Sequence, residues 1–87
     1  MKAFVLIQTL AGTEPVGAAL RAIPGVEWTD DLTGPFDAIA LASAQSRRDL
    51  LETVVERIRS LPGVTRALPA PLARSLSALV PGKEQAA

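Results

Sequence analysis

The sequence predicts an α+β fold of the ferredoxin-like βαββαβ type, an antiparallel sheet in the order 4-1-3-2 with two helices on one face. Two observations carry this. The first is an internal echo: Leu20-Arg21-Ala22-Ile23-Pro24-Gly25-Val26 returns as Ile58-Arg59-Ser60-Leu61-Pro62-Gly63-Val64. In each copy an amphipathic stretch runs into a Pro-Gly step that ends a helix, and the following Val opens a strand. An apolar, strand-like run precedes each amphipathic stretch, so strand-helix-strand is written twice. The second observation is strand composition. The first and third strand-like runs are the most apolar and belong in the centre. The second and fourth carry Asp, Glu, Thr, Arg and a terminal Pro, and belong at the edges. Right-handed crossovers then give the order.

The first strand, Lys2–Thr9, is apolar on both alternating faces, with Phe4 and Leu6 on one and Ala3, Val5 and Ile7 on the other. Such a strand is covered on both sides. Ala11-Gly12-Thr13 turns into a helix, with Thr13 as N-cap and Pro15 in the first turn. Val16, Ala19, Leu20 and Ile23 share one face of that helix. Val26–Thr33 is a half-exposed strand, with Val26, Trp28 and Leu32 on one side and Glu27, Thr29, Asp31 and Thr33 on the solvent side.

Asp37–Ser43 is the third strand, with Ile39 and Leu41 opposed to Ala38, Ala40 and Ala42. Ser46 and Asp49 open the second helix in a capping-box pattern. Leu51, Val54, Val55 and Ile58 form its buried stripe, and Arg48–Glu52 and Glu56–Arg59 pair on its solvent side. Val64–Leu68 is the last strand, with Arg66 exposed and Pro69 ending it. Residues 1–69 form the domain. Residues 70–87 are a C-terminal extension, in which Leu72, Leu76, Leu79 and Val80 are spaced as a short helix before a frayed tail.

At 87 residues there is room for one domain. A domain of this size buries only roughly 60–65% of its unfolded surface, so its core is thin. Both helices lie on one sheet face, yet the first strand is apolar on both. The bare face asks for a partner, and a second copy is the simplest, which makes a dimeric α/β barrel.

Composition excludes much chemistry. There is no Cys, so no disulfide or thiolate metal site, and no His, the commonest general base and metal ligand. Lys2 starts a strand and Lys83 lies in the tail, so neither serves as base to a Ser or Thr nucleophile. Asp30 and Asp31 are strand neighbours pointing to opposite faces, and they cannot converge on one atom. With Asp37 they lack the loop grammar of a calcium site; they read as a solvated edge that discourages strand pairing. The expectation is a non-enzyme with no metal and no cofactor. Nine basic and nine acidic residues cancel, unlike the basic footprint of a nucleic-acid binder. The apolar run Ala3–Ile7 is too short to span a bilayer and has no signal-peptide layout. The expected location is the cytoplasm, without membrane contact.

Thr33-Gly34-Pro35-Phe36-Asp37 has the best claim to function. As geometry it is an ordinary strand connection, with Gly for backbone freedom and Pro to set one dihedral. As chemistry it complements a zwitterion. The Gly34 N–H meets a carboxylate closely, Thr33 adds a hydroxyl, Asp37 offers charge to an ammonium, and Phe36 walls the pocket or simply packs.

The first strand, the Ile23-Pro24-Gly25-Val26 helix end, Thr33-Gly34-Pro35-Phe36-Asp37-Ala38-Ile39-Ala40 and Ile58-Arg59-Ser60-Leu61-Pro62-Gly63-Val64-Thr65-Arg66 together resemble one family. It is the effector-binding (RAM) domain of the leucine-responsive/asparagine (Lrp/AsnC) transcriptional regulators. The likeness covers roughly residues 1–69. It implies a βαββαβ fold, dimers that pair their sheets, larger rings of dimers, and amino-acid effectors bound between dimers near the turn after the second strand. Thr33, Gly34 and Asp37 match that turn position by position, while Phe36 stands where the family often has Tyr. The regulators carry an N-terminal helix-turn-helix, whereas this sequence starts at the first strand. The expectation is therefore a stand-alone effector domain with no direct nucleic-acid contact and with full-length family regulators as further partners.

Besides a purely structural adaptor whose only partners are protein, two other readings remain open at this point. One is a small dimeric ferredoxin-like enzyme such as a monooxygenase, although Phe4, Trp28 and Phe36 are the only aromatics. The other is an ACT-type regulatory domain, which places its ligand at the first strand–helix turn, here Ala11-Gly12-Thr13.

Overall fold

A computed structural model describes residues 1–72 of the chain. The elements run β1 (Lys2–Thr9), α1 (Gly17–Arg21), β2 (Val26–Asp31), β3 (Ala38–Ser43), then one helix in three segments, and β4 (Val64–Pro71). The segments are α2 (Arg47–Asp49), a π-helical stretch (Leu50–Val55) and α3 (Glu56–Arg59). All strand pairs are antiparallel and the order is β2-β3-β1-β4, the expected 4-1-3-2 read from the other edge.

The two faces of β1 have different fates. Ala3, Val5 and Ile7 are fully buried, in one cluster with Ala38, Ala40, Ala42 and Ala67 of the sheet and Val16, Leu20, Ile23, Leu50, Val54, Val55 and Ile58 of the helical side. The alanines let both helices approach the sheet closely, and the helices supply the bulk that fills the layer. On the opposite face the register sets Phe4 and Trp28 beside Leu41, and Leu6 between Ile39 and Leu68. No helix covers this face among the described residues, and Trp28 is 46% exposed.

The Pro-Gly echo is an echo in geometry. The Val26 N–H donates to Ile23 O and the Val64 N–H to Leu61 O, closing two equivalent turns. Pro sits at the second position and Gly at the third with positive φ, +99° at Gly25 and +86° at Gly63, the arrangement a type II turn requires. Both glycines are also crowded. A Cβ on Gly25 would lie 2.8 Å from a Val54 methyl and 2.9 Å from Ser43 O, and one on Gly63 would lie 2.5 Å from a Thr13 methyl.

Four local expectations need correction. α1 starts at Gly17 after Val16, and no side chain caps it, so Thr13 is not the N-cap. Pro15 disfavours helical geometry in the residue before it, and the helix begins beyond it. Ala19 is exposed, leaving Val16, Leu20 and Ile23 as the buried positions. In the second helix, Ser46 does accept the Asp49 N–H as N-cap, but Leu50 is fully buried and Leu51 only half-buried. The wider π turn lets the adjacent Val54 and Val55 both point inward with Leu50. Arg48–Glu52 and Arg59–Glu56 pair as expected, at 2.9 and 2.6 Å.

The third correction is to β4, which does not stop at Pro69. It pairs on through Ala70 and Pro71, and the Leu72 N–H donates to Lys2 O. Residues of the parity of Leu72 turn their N–H groups toward β1, so Pro69 and Pro71 occupy positions facing away from the sheet. An edge strand tolerates proline there, and the two also close that edge to strand addition. The helix expected over Leu72–Val80 lies, beyond Leu72, outside the described residues.

The fourth correction is a bulge between Val26 and Trp28. Val26 pairs with Ala42 and packs against the core, whereas Trp28 pairs with Leu41 on the open face. The extra residue switches the strand's faces, so Val26 and Trp28 do not share a side. Glu27 at the bulge ion-pairs with Lys2 at 2.9 Å.

Candidate functional site

The connection after β2 is gripped at its base from several directions. The Leu32 N–H donates to Asp37 O at 2.9 Å, and the Asp37 N–H to Ile7 O at 2.8 Å. Gln8 Nε2 donates to Pro35 O at 2.7 Å. Asp37 Oδ2 accepts both the Thr9 N–H, at 2.7 Å, and the Thr9 hydroxyl, at 3.1 Å. Thr33, Gly34 and Pro35 are exposed at the tip, and Phe36 is half-buried. Gly34 has φ +118°, a value that favours glycine, and a Cβ there would meet nothing within 4 Å. Its backbone is therefore open to an approaching group.

The three residues named from the sequence do not converge on one cavity. Asp37 lines a cleft of about 300 Å³ with Thr9, Thr13, Glu14, Pro15, Val16 and Asp31. Thr33 and Gly34 stand outside it. Asp31 was expected on the solvent side of an edge strand. The bulge and register instead pair it with Ala38, on the side that faces α1, and it borders the same cleft as Asp37. Asp30 does act as an edge residue: its Oδ1 accepts the Asp31 N–H at 2.9 Å and occupies a donor on that strand. A neighbouring cleft of about 290 Å³ shares Pro15 and Asp31 and includes Arg21, whose Nη1 donates to the Thr29 hydroxyl.

Sequence reasoning passed over Gln8, Thr9 and Glu14, and placed Thr13 only in the alternative site at the first strand–helix turn. The signal for the first two was present: β1 is apolar from Ala3 to Ile7 and turns polar at the end where the connection arrives. A bulge between β1 and β4 falls at Gln8/Thr9. That Thr13 and Glu14 meet Asp37 needed the tertiary structure, since the β1–α1 loop reaches the cleft only after the chain folds back. This also links two sites that looked like rivals, because Thr13 of the first strand–helix turn and Asp37 line one cleft.

Elsewhere the polar chemistry is sparse. A groove of about 330 Å³ on the outer face of the second helix is lined by Glu52, Thr53, Glu56, Arg57, Ser60 and Leu61. Two of its charges, Glu52 and Glu56, already pair along the helix, and it reads as solvated helix surface. Glu27 is held below the usual carboxylate range by the Ser43 hydroxyl, with the Lys2 ammonium as the second cause. Among the described residues no three His, Cys, Asp or Glu side chains are placed to hold a metal ion. No helix among them is long and apolar enough to cross a membrane.

The family model for the Lrp/AsnC ligand binding domain matches residues 2–68, which spans β1, both helices and β4 to Leu68. The chain belongs to the Lrp/AsnC family. Solved structures agree with the assignment. FFRP-DM1 is 30% identical and superposes with a TM-score of 0.70, over 79% of this chain and 93% of its own. TTHA0845 from Thermus thermophilus is 34% identical with a TM-score of 0.69, over 85% of this chain and 96% of its own. The hypothetical protein PHS023 from Pyrococcus horikoshii is 30% identical with a TM-score of 0.67, over 84% and 92%. A search of the curated proteins finds no match. The Lrp/AsnC ligand binding domain is a regulatory, non-catalytic domain that binds small effectors.

Proposed function

We propose that this chain is a non-catalytic, oligomeric module that binds a free amino acid through the Thr33 hydroxyl, the Gly34 backbone N–H and the Asp37 carboxylate. It acts in the cytoplasm, on transcription, through full-length family regulators and without contacting DNA itself. The observation that carries the reading is Gly34. Its positive φ with open space around it leaves a backbone N–H that a ligand carboxylate can approach, beside a hydroxyl and within one turn of a fixed carboxylate. A formal net charge of zero argues against a sequence-independent grip on phosphates.

Oligomerisation is supported by the sheet face that no helix covers among the described residues, where Phe4, Leu6, Ile39, Leu41, Leu68 and Trp28 line up in register. The edges favour faces over strand addition, because Pro69 and Pro71 blunt β4 and Asp30 occupies a donor of β2. A second copy placing the same face against this one gives the dimeric α/β barrel, and rings of dimers set the tip of the turn against a neighbour.

The test is a thermal-shift screen with the standard free L-amino acids. One present at 100 times its dissociation constant adds roughly 2.7 kcal/mol of stability. Failure of every amino acid to shift the transition overturns the reading. A ligand whose resonance changes centre on Gly12 and Thr13 rather than Gly34 moves the site to the first strand–helix turn. The shared cleft of Thr13 and Asp37 favours that ACT-like geometry as the second reading.

A further inference from the structure

We infer that Gln8 and Thr9 are positioning residues for the ligand turn, acting through Pro35 O and Asp37 Oδ2 rather than touching ligand. The inference rests on the reading of the Thr33–Asp37 turn as the effector site. The two residues are adjacent on β1, so their side chains leave opposite faces of the sheet. Gln8 reaches Pro35 O at 2.7 Å from the open-face side. Thr9 reaches Asp37 Oδ2 with both its N–H and its hydroxyl from the cleft side. The connection between β2 and β3 is thus held from both faces by one dipeptide.

The local ladder shows why this grip is needed. The β1–β3 register ends at the pair Ile7–Ala38. Beyond it the Thr9 N–H has no backbone acceptor on β3, and the Asp37 carboxylate takes it instead. On the other side of β1 the pairing shifts by one residue between Gln8 and Thr9, where the Thr65 hydroxyl donates to Gln8 O. The extra residue of that bulge, Thr65, lies on β4, opposite the step between the two β1 residues that hold the turn. Asp37 Oδ2 is committed to Thr9. A ligand ammonium is therefore left the other oxygen, whose direction is set by the Thr9 contacts. Gly34 lies one residue from the carbonyl that Gln8 holds, so the same dipeptide sets where its N–H sits.

Amide exchange and amino-acid binding on the whole chain test this together. The double variant Gln8→Leu/Thr9→Val keeps bulk and strand propensity while removing two side-chain donors. Exchange of the Leu32 and Asp37 amides rises about tenfold in it, as expected for two lost hydrogen bonds, while the Val5 amide in the sheet centre is unmoved. The affinity of whichever free amino acid shifts the wild type falls by a similar factor. Thr9→Ser alone, which keeps the hydroxyl, retains wild-type exchange and binding. Unchanged exchange in the double variant overturns the inference. So does faster exchange with unchanged affinity, which makes the dipeptide structural only. If no free amino acid shifts the wild type, the ligand reading itself falls and the inference falls with it. That outcome is distinct, because loss of positioning alone leaves wild-type binding intact.

Discussion

Thr9 gives Asp37 two hydrogen bonds, and both land on the same carboxylate oxygen. Asp37 therefore holds its own turn against β1 before it meets any ligand. The proposed ligand contact of Asp37 is separable from this structural one by chemistry. Asp37→Ala removes the acceptor and lowers stability by about 1 kcal/mol. In a domain this small that is a fall in Tm of about 4–8 °C, read by thermal unfolding. Asp37→Asn keeps an acceptor for Thr9 but removes the charge offered to an ammonium. It changes Tm by less than the Ala variant, yet weakens amino-acid binding at least tenfold by calorimetry, roughly 1.4 kcal/mol or more. Asp31 borders the same cleft and is no control for this comparison; Asp49, on the second helix, is a better one.

Neighbouring residues on β1 predict opposite phenotypes. Val5 is fully buried under the helices, whereas Leu6 lies half-buried on the open face. Val5→Asp places an unpaired charge in the core and prevents folding, visible as loss of a cooperative transition. Leu6→Asp leaves a folded chain whose light-scattering mass drops to the 9.1 kDa monomer. A wild type that is monomeric at micromolar concentration contradicts the face-to-face assembly.

The two Pro-Gly turns resist alanine for reasons that a second substitution distinguishes. Gly63→Ala strains a positive φ and meets the Thr13 side chain, and costs about 1–3 kcal/mol in urea unfolding. Thr13→Ala, by removing the methyl and hydroxyl nearest to that Cβ, recovers part of the loss. Gly25→Ala meets Val54 and also Ser43 O, a backbone atom. Val54→Ala therefore gives it no comparable rescue. Equal coupling in the two double-mutant cycles contradicts this picture.

Glu27 makes stability depend on pH in a known direction. Ser43 and Lys2 lower its pKa in the folded state, so its contribution is complete above the ordinary carboxyl range and is lost as pH falls through the lowered value. Urea unfolding from neutral to acid pH shows a shallower acid decline for Glu27→Gln than for the wild type. Identical slopes remove Glu27 from the acid response.

Much of the fold was legible in local pattern. Both Pro-Gly turns, the two-faced β1, the alanine face of β3 and the Ser46 cap follow from periodicity and turn chemistry, which act over a few residues, and the sheet order follows from strand composition and crossover hand. The errors have a common physical origin. The bulge at Glu27 shifts a face by one residue, and period-2 reading carries the wrong parity from there to Asp31. Pro69 and Pro71 look like stops until the strand is known to be an edge whose outward positions need no donor. Leu50 and Val55 share a buried face because the helix widens to a π turn.

By itself the sequence determined the βαββαβ order and the place of the Thr33–Asp37 turn, since spacing and glycine chemistry are properties of neighbours along the chain. Only the tertiary structure decided that Gln8 and Thr9 hold that turn, 27 and 28 positions away from their partners Pro35 and Asp37. Only it decided that Asp31, Thr13 and Asp37 share one cleft. Hydrogen bonds of that range depend on strand register and bulges, which are set when β1, β3 and β4 meet and bury their apolar faces together.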